Sequence, residues 1–338
     1  MKKIKVLMLV VVSLLSGCAA RPNQAVPKVS SSQSTAATNS RPTSKKVASK
    51  KSSSAVVASS SSEMEANTLW NQTKTQRLAK FMHQWEVEMG QSYTGTYDGD
   101  HPDHLGFVFP TTITTGQLKD RVKWGQRAIN LTWSKNGENG AEFQVVAVAT
   151  GGKATAEWPT TYFFCLHHQR PVVFMTQTTN GDDLYLKDTQ NSALQAGFTE
   201  IVTGSRPTVQ DSATLNADVS AAVQAKPQRW PSNYQGTWYY YEAYTKRVET
   251  VENTRISEAK LNYFDTVTPK FINVLGATQT AGDGEFDYVR YQYYDGRQIP
   301  VMMMASGADM WFDNNAYRDK AIAAQLRGLQ FGDETASR

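Results

Sequence analysis

The sequence predicts an α+β fold in which an N-terminal amphipathic helix packs on an antiparallel sheet and a small β-rich domain with a C-terminal helix follows. Three observations predict it. Apolar residues at the start of the ordered region repeat at helical spacing, the segments after them have the composition of strands, and a second group of tyrosine-rich strands follows a proline-containing connection. The β-rich domain is expected to be barrel-like or sandwich-like.

Residues 1–17 predict a signal peptide of the lipoprotein type. Lysines at positions 2, 3 and 5 precede an apolar run, Val6 to Leu15, that is too short to span a bilayer as a helix of about 20 residues. The run closes with Leu15-Ser16-Gly17-Cys18, which resembles bacterial lipobox sequences. The resemblance implies cleavage before Cys18, a lipid on its sulfur, and a protein anchored to the extracellular face of the cell membrane. A plain secretory peptide with an incidental Cys18 is the alternative.

Residues 18–65 predict a lipidated, disordered tether rich in serine, threonine and lysine, because such segments bury too little apolar surface to offset chain entropy. Ten of the 35 basic residues and none of the 31 acidic residues precede Glu63, so the rest of the chain has a formal charge of −6 although the total is +4. The basic tether suits a position beside anionic lipid. The acidic remainder argues against a nucleic-acid partner.

The ordered region is expected to begin near Leu69 with an amphipathic helix of about 20 residues. Five apolar residues share one face of it at spacings of three, four and seven: Leu78, Phe81, Met82, Trp85 and Met89. Packing of this face against a sheet is the expected role of the stripe.

Six strand-like segments follow, and they are expected to form an antiparallel meander: Gly106–Phe109, Arg127–Ser134, Ala141–Thr150, Thr160–His167, Val172–Thr178 and Asp183–Leu186. Asn136-Gly137 and Asn180-Gly181 predict hairpin turns, because both central residues of a type I′ turn need positive φ. A short helix over Ser192–Thr199 completes an α+β domain at residues 66–204.

The opening of this domain carries a family resemblance. Leu69-Trp70-Asn71-Gln72-Thr73-Lys74, the helix stripe after it, and Gln91-Ser92-Tyr93 resemble an uncharacterised domain of lipoproteins from lactic-acid-type Gram-positive bacteria. The resemblance covers Asn67–Val202. It implies an α+β fold, a surface location and further domains in the same chain, and it carries no activity.

Residues 205–231 contain three prolines and predict an interdomain linker, with a short helix over Asp218–Ala225. A β-rich domain at 232–338 opens with Gly236-x-Trp238-Tyr239, which resembles the first strand of lipocalin-like barrels and of small repeated modules in Gram-positive surface proteins. A compact interior and a ligand-holding barrel both fit this start. The further elements expected are strands at Arg247–Ile256, Lys260–Phe264, Phe271–Leu275, Phe286–Tyr294 and Gln298–Met304, and a helix at Ala316–Leu329.

The sequence contains candidates for a metal site in one short segment: Asp98, Asp100, His101, Asp103 and His104. Carboxylates suit Ca²⁺ and imidazoles suit Zn²⁺, so a solvated acidic loop is the alternative. His167-His168 precedes a predicted turn, and adjacent strand residues face opposite ways, so this pair is not expected to share an ion. Cys165, the only thiol besides Cys18, lies in an apolar run and is expected to be buried.

The candidate binding surface is a set of aromatic residues on alternating strand positions: Trp238, Tyr239, Tyr241, Tyr291 and Tyr293. Tyrosine pairs that only stiffen the sheet are the alternative. No Gly-x-Ser-x-Gly, Ser-x-x-Lys, Walker or dinucleotide-binding motif is present. The sequence therefore predicts a membrane-anchored extracellular lipoprotein without enzymatic activity or cofactor, whose partner is a cell-envelope polymer or protein. A protein that holds a small apolar ligand and an envelope hydrolase are the alternatives.

Overall fold

The computed structural model describes residues 68–256, 259–264, 270–276, 284–307 and 311–334. The predicted signal peptide, Cys18 and the predicted tether lie outside the described residues. Among the described helices, none has the length and apolarity needed to cross a membrane. Elements are numbered below in chain order.

The first helix, α1 (Gln72–Met89), confirms the predicted amphipathic helix. It begins after Asn71, whose side-chain oxygen accepts a hydrogen bond from the backbone N–H of Lys74, and it ends at Gly90, whose φ of 61° a residue with a Cβ adopts less readily. Leu78, Met82 and Trp85 are buried. Met89, in the last turn, is 39% exposed and does not join the core.

The first sheet contains eight strands of the described chain: β1 (Ser92–Gly95), β4 (Val122–Trp124), β5 (Arg127–Ile129), β6 (Leu131–Trp133), β7 (Phe143–Gly152), β8 (Thr160–His167), β9 (Arg170–Thr176) and β10 (Leu184–Asp188). Its order is β1-β7-β8-β9-β10-β4-β5, with β6 also paired to β7. The short strands β2 (Asp103–His104) and β3 (Phe107–Val108) pair separately, and α2 (Thr111–Thr114) follows them.

The α+β class is confirmed, but the first sheet is mixed rather than purely antiparallel. The pairs β10–β4 and β6–β7 are parallel. A hairpin at Asn136-Gly137 would make β6 and β7 antiparallel. Because these two strands are parallel, the predicted hairpin is wrong. This loop instead packs on the start of α1: Asn136 accepts a hydrogen bond from the backbone N–H of Trp70, and a Cβ on Gly137 would lie 2.5 Å from Leu166 Cδ1. At Asn180-Gly181 the predicted antiparallel pairing of β9 with β10 is confirmed, but the turn type is wrong, because the loop is longer than two residues and only Gly181 of the pair has positive φ.

Apolar side chains cover both faces of the first sheet. One layer lies between the sheet and two helices, α1 and α3 (Ser192–Thr203), and includes Trp85 and Phe198. The opposite layer includes Trp124, Phe143 and Cys165. A sheet that is buried on both faces explains why β7 and β8 are almost continuously apolar.

The second sheet is a curled antiparallel half-barrel. Its described strands, in the order β12-β11-β17-β16-β15-β14-β13, are β11 (Gly236–Glu242), β12 (Arg247–Asn253), β13 (Ala259–Phe264), β14 (Phe271–Gly276), β15 (Gly284–Tyr294), β16 (Arg297–Gly307) and β17 (Trp311–Tyr317). The terminal helix α6 (Lys320–Gln325) is shorter than predicted. Ala316 and Tyr317, expected in that helix, belong to β17 because they pair with β11 and β16.

The predicted linker contributes directly to the core of the half-barrel. It contains α4 (Ser212–Leu215) and α5 (Val219–Ala225), and the latter confirms the short helix expected there. Val219, Val223 and Trp230 are buried in one cluster with Trp238. The independent folding of 66–204 and 232–338 stays a prediction, and the described residues all belong to one compact unit.

A buried ion-pair network joins β15 to residues near the end of the described chain. Arg290 is 1% exposed, and its Nε lies 2.5 Å from Asp333 Oδ2 while one Nη donates to Glu334 Oε1 at 3.2 Å. Asn315 accepts a second hydrogen bond from the same guanidinium. Pairing of this kind offsets the cost of removing a guanidinium from water.

We expect Trp85→Ala to lower the free energy of unfolding by about 3–5 kcal/mol, because the indole is 3% exposed and contacts the Tyr93 and Tyr162 rings. Urea unfolding measures the change. Val87→Ala is the matched control, because Val87 lies on the same helix and is 83% exposed. It should change the free energy of unfolding by less than about 0.5 kcal/mol. A loss below about 1 kcal/mol for Trp85→Ala would contradict the packing described here.

Candidate functional site

Two tight turns meet where the first sheet contacts the half-barrel. His168 and Gln169 connect β8 to β9 with φ of 47° and 67°, and Asp295 and Gly296 connect β15 to β16 with φ of 52° and 70°. Positive φ at both central residues is the type I′ pattern. A Cβ on Gly296 would lie 2.3 Å from the carbonyl oxygen of Pro171, so the close approach of the two turns requires glycine there.

The meeting of these turns assembles a cluster of titratable side chains, which we call the junction cluster: Glu142, His167, His168, Asp295, Arg127 and Arg170. His167 Nδ1 lies 2.6 Å from Asp295 Oδ1, and His167 Nε2 lies 3.4 Å from Glu142 Oε1. His168 Nε2 lies 3.5 Å from the same Glu142 oxygen. Arg127 donates to Glu142 at 2.6 Å, and Arg170 pairs with Asp295.

The expectation that His167 and His168 face opposite ways is wrong. Strand alternation ends at His167, since His168 adopts left-handed backbone geometry in the turn. The two imidazole centroids lie 4.6 Å apart, and both rings approach Glu142. Among the described residues, Glu142, His167 and His168 are the group of three potential metal donors whose ligand atoms all lie within 4.8 Å of one another.

The ring of His167 is fixed on both sides. It stacks on Phe143 with centroids 4.2 Å apart and planes 4° from parallel, and it meets the Trp124 ring edge-on. Burial lowers the pKa of His167, against the opposing effect of Glu142, so the neutral imidazole is favoured. Burial opposes ionisation of Glu142, but Arg127 outweighs it and the pKa of Glu142 is lowered overall.

A buried carboxyl group, Asp188, lies beside this cluster at the end of β10. Trp124 Nε1 donates to it at 2.7 Å, and the Trp124 ring stacks on Tyr294 of the half-barrel with centroids 5.0 Å apart. The side-chain amide of Gln190 forms two hydrogen bonds with the backbone of Tyr293, which ties the end of β10 to β15. Burial raises the pKa of Asp188 to about 7.

The side chains of the predicted metal segment do not converge on one site. His104 is 1% exposed, and its ring nitrogens bond to the Thr178 carbonyl at 2.8 Å and the Thr161 hydroxyl at 2.9 Å. Asp98 pairs with His83, and Asp103 accepts a hydrogen bond from the backbone of Gly106. The two remaining candidates, Asp100 and His101, are exposed. His104 is thus a core histidine whose two nitrogens already have protein partners.

The predicted aromatic set is not gathered on an exposed face. Trp238 is fully buried and donates its indole N–H to the Tyr234 carbonyl, and Tyr293 is buried at the contact with the first sheet. The other three rings, Tyr239, Tyr241 and Tyr291, are half-buried.

The structure shows a different surface feature, a basic cleft between residues 226–229, the start of β11 and the end of β12. Two backbone contacts hold the chain at 226–229: Arg229 pairs with Arg255 in an isolated β-bridge, and the carbonyl of Pro227 accepts from the N–H of Leu261. The open cleft has a volume of about 810 Å³. Its described lining includes Lys226, Arg229 and Arg255 and no acidic residue, and within the described chain no carboxylate forms an ion pair with these three cations.

Stability should depend on pH through Asp188. Its folded pKa of about 7 exceeds the value near 3.9 of an unfolded aspartate, so the protonated carboxyl stabilises the fold. This contribution is complete below about pH 4 and is lost as pH rises through about 7. We expect Asp188→Asn to flatten the decline in unfolding free energy over this range, measured by urea unfolding at several pH values. Asp100→Asn, at an exposed position, is the control, and an identical pH profile for Asp188→Asn and the unmodified protein would refute the assignment.

No curated protein and no solved structure shows a significant match to the chain. A protein-family comparison matches residues 67–202, the same range as the resemblance found in the sequence. This range contains α1, the first sheet and all but the last residue of α3. The first sheet and its helices therefore form a domain of the family described as Domain of unknown function (DUF4767).

Proposed function

We propose that the protein is a lipid-anchored extracellular lipoprotein of a Gram-positive bacterium, and that its folded part is a non-enzymatic binding module for an anionic polymer of the cell envelope. The observation that carries the proposal is the basic cleft, which groups Lys226, Arg229 and Arg255 around one concave surface. Concave sites of several hundred Å³ with a few convergent polar groups are typical of ligand binding.

The charge of the cleft contrasts with that of the chain around it. Residues from Glu63 onward carry a net −6, whereas the described residues that line the cleft carry three positive charges. Opposite local and overall charges draw an anionic ligand to the cleft and repel it elsewhere. Guanidinium groups bind phosphate and carboxylate oxygens through two parallel N–H donors, and Gln228, Gln235 and Asn253 add neutral amide groups to the lining.

The non-enzymatic part of the proposal is supported by Cys165. Its side chain is fully buried, and burial raises the pKa of the thiol, so the reactive thiolate is disfavoured. The anchoring part is supported by Leu15-Ser16-Gly17-Cys18 and by the basic residues after it, which are suited to a position beside anionic lipid.

Replacing both cleft arginines, Arg229→Gln with Arg255→Gln, should weaken binding of a polyphosphate chain by about tenfold, because each exposed charge contact is worth about 0.5–1 kcal/mol. Glutamine keeps the backbone bridge and removes the charge. Affinity is measured by fluorescence anisotropy with labelled polyphosphate at two salt concentrations, and neutral dextran tests whether charge is required. The matched control replaces two exposed lysines of the first domain, Lys119→Gln with Lys153→Gln. Equal losses in the two double variants would mean that binding follows net charge and not the cleft.

Cys18→Ala should release the protein into the medium or leave it unprocessed, because acyl chains on Cys18 supply anchoring at about 0.8 kcal/mol per buried methylene. Membrane fractionation and gel mobility measure the effect, with Ser16→Ala as a control that keeps the cysteine and a small residue at the site. Unchanged retention and mobility of Cys18→Ala would contradict the anchor.

A further inference from the structure

We propose that Glu142, His167 and His168 bind a zinc ion at the junction between the first sheet and the half-barrel. This site is separate from the basic cleft and does not depend on the proposed function. Its donors are two imidazole nitrogens and one carboxylate oxygen, a set that zinc accepts with three protein ligands and one open position.

The distances between the donor atoms fit this ion. Zinc bonds to nitrogen and oxygen are about 2.0–2.2 Å long, so neighbouring ligand atoms of a tetrahedral zinc lie about 3.3–3.6 Å apart. His167 Nε2 and His168 Nε2 lie 3.4 Å and 3.5 Å from Glu142 Oε1. Two of the three distances between the donor atoms therefore already match those around a tetrahedral zinc ion.

Hydrogen bonding directs the correct nitrogen of His167 toward the site. Its Nδ1 is 2.6 Å from Asp295, a carboxylate that Arg170 holds in place, so the Nδ1 proton is committed to that contact. In the neutral imidazole, Nε2 then presents a lone pair toward Glu142, whose oxygen is also an electron-pair donor. A zinc ion between His167 Nε2 and Glu142 Oε1 would replace an unfavourable contact of two electron-pair donors with two metal–ligand bonds. A carboxylate on the second nitrogen is the usual arrangement behind a histidine that binds zinc.

The surroundings allow both binding and access. Stacking holds the His167 ring parallel to the Phe143 ring. The side chain of His168 is 66% exposed and leaves one side of the site open to water. Arg127 contacts Glu142 Oε1 at 2.6 Å. A carboxylate oxygen has two lone pairs, so it can accept from Arg127 and bind zinc at the same time.

Zinc at this position would join two parts of the first sheet, because Glu142 immediately precedes β7 while His167 ends β8 and His168 lies in the turn after it. Asp295 connects His167 in turn to the half-barrel. Binding should therefore stabilise the folded protein, since an ion that binds only the folded state raises the unfolding temperature.

Isothermal titration calorimetry of the full chain in detergent with ZnCl₂ tests the proposal, together with thermal unfolding with and without zinc. His168→Asn is the main variant, because asparagine tolerates the left-handed backbone at this position and removes the imidazole. We expect the unmodified protein to bind one zinc ion at this site and to unfold at a higher temperature with zinc. His168→Asn and Glu142→Gln should each weaken binding more than about tenfold, and Asp295→Asn, which keeps a hydrogen-bond acceptor for His167, about tenfold.

His101→Asn is the matched control, since it removes an exposed histidine outside the junction cluster, and it should bind zinc as the unmodified protein does. Circular dichroism without zinc establishes that each variant is folded. The proposal is overturned if the unmodified protein takes up no zinc, or if folded His168→Asn and Glu142→Gln bind it as tightly as the control.

Discussion

The contact between the two type I′ turns is the constraint on which the junction depends. Gly296 lies against the Pro171 carbonyl at a distance that leaves no room for a side chain. This approach places Asp295 on His167 and Tyr294 over Trp124, and it closes the environment in which Asp188 is buried. Because β15 and β16 are the longest strands of the half-barrel, their hairpin extends far enough to reach the first sheet.

The sequence predicted those parts of the fold that are set by local pattern. The stripe Leu78, Met82 and Trp85 placed α1, and the apolar run of β8 was located to the residue. Strand pairing was less predictable, because it depends on where a loop packs. Asn136-Gly137 has the composition of a hairpin turn, yet only Gly137 has positive φ, and the loop contacts Leu166 and the residues before α1. Composition indicates that the chain bends here, and not the turn type or the direction of the strand that follows.

The candidate sites show the same division between local and distant information. His167-His168 was visible in the sequence, but strand alternation ends at His167, and His168 lies in a turn where it no longer holds. Asp295 is 128 residues from His167 along the chain, so nothing local could have paired them. Similarly, Arg229 and Arg255 adjoin because they flank the β11–β12 hairpin on its two sides, where an isolated β-bridge pairs them. Glu142 offered a signal, since it immediately precedes β7, whose first residue, Phe143, pairs with His167.

The ion-pair network of Arg290 limits the order in which the half-barrel can mature during synthesis. Arg290 occupies the middle of β15, whereas its partner Glu334 follows 44 residues later. A ribosome that has completed β15 has made this guanidinium before the two carboxylates that pair with it. The sheet can begin to pair at that stage, but the charge at its centre is compensated only when the segment after α6 has been made. Completion of this half of the protein is therefore coupled to translation of a segment outside the sheet itself.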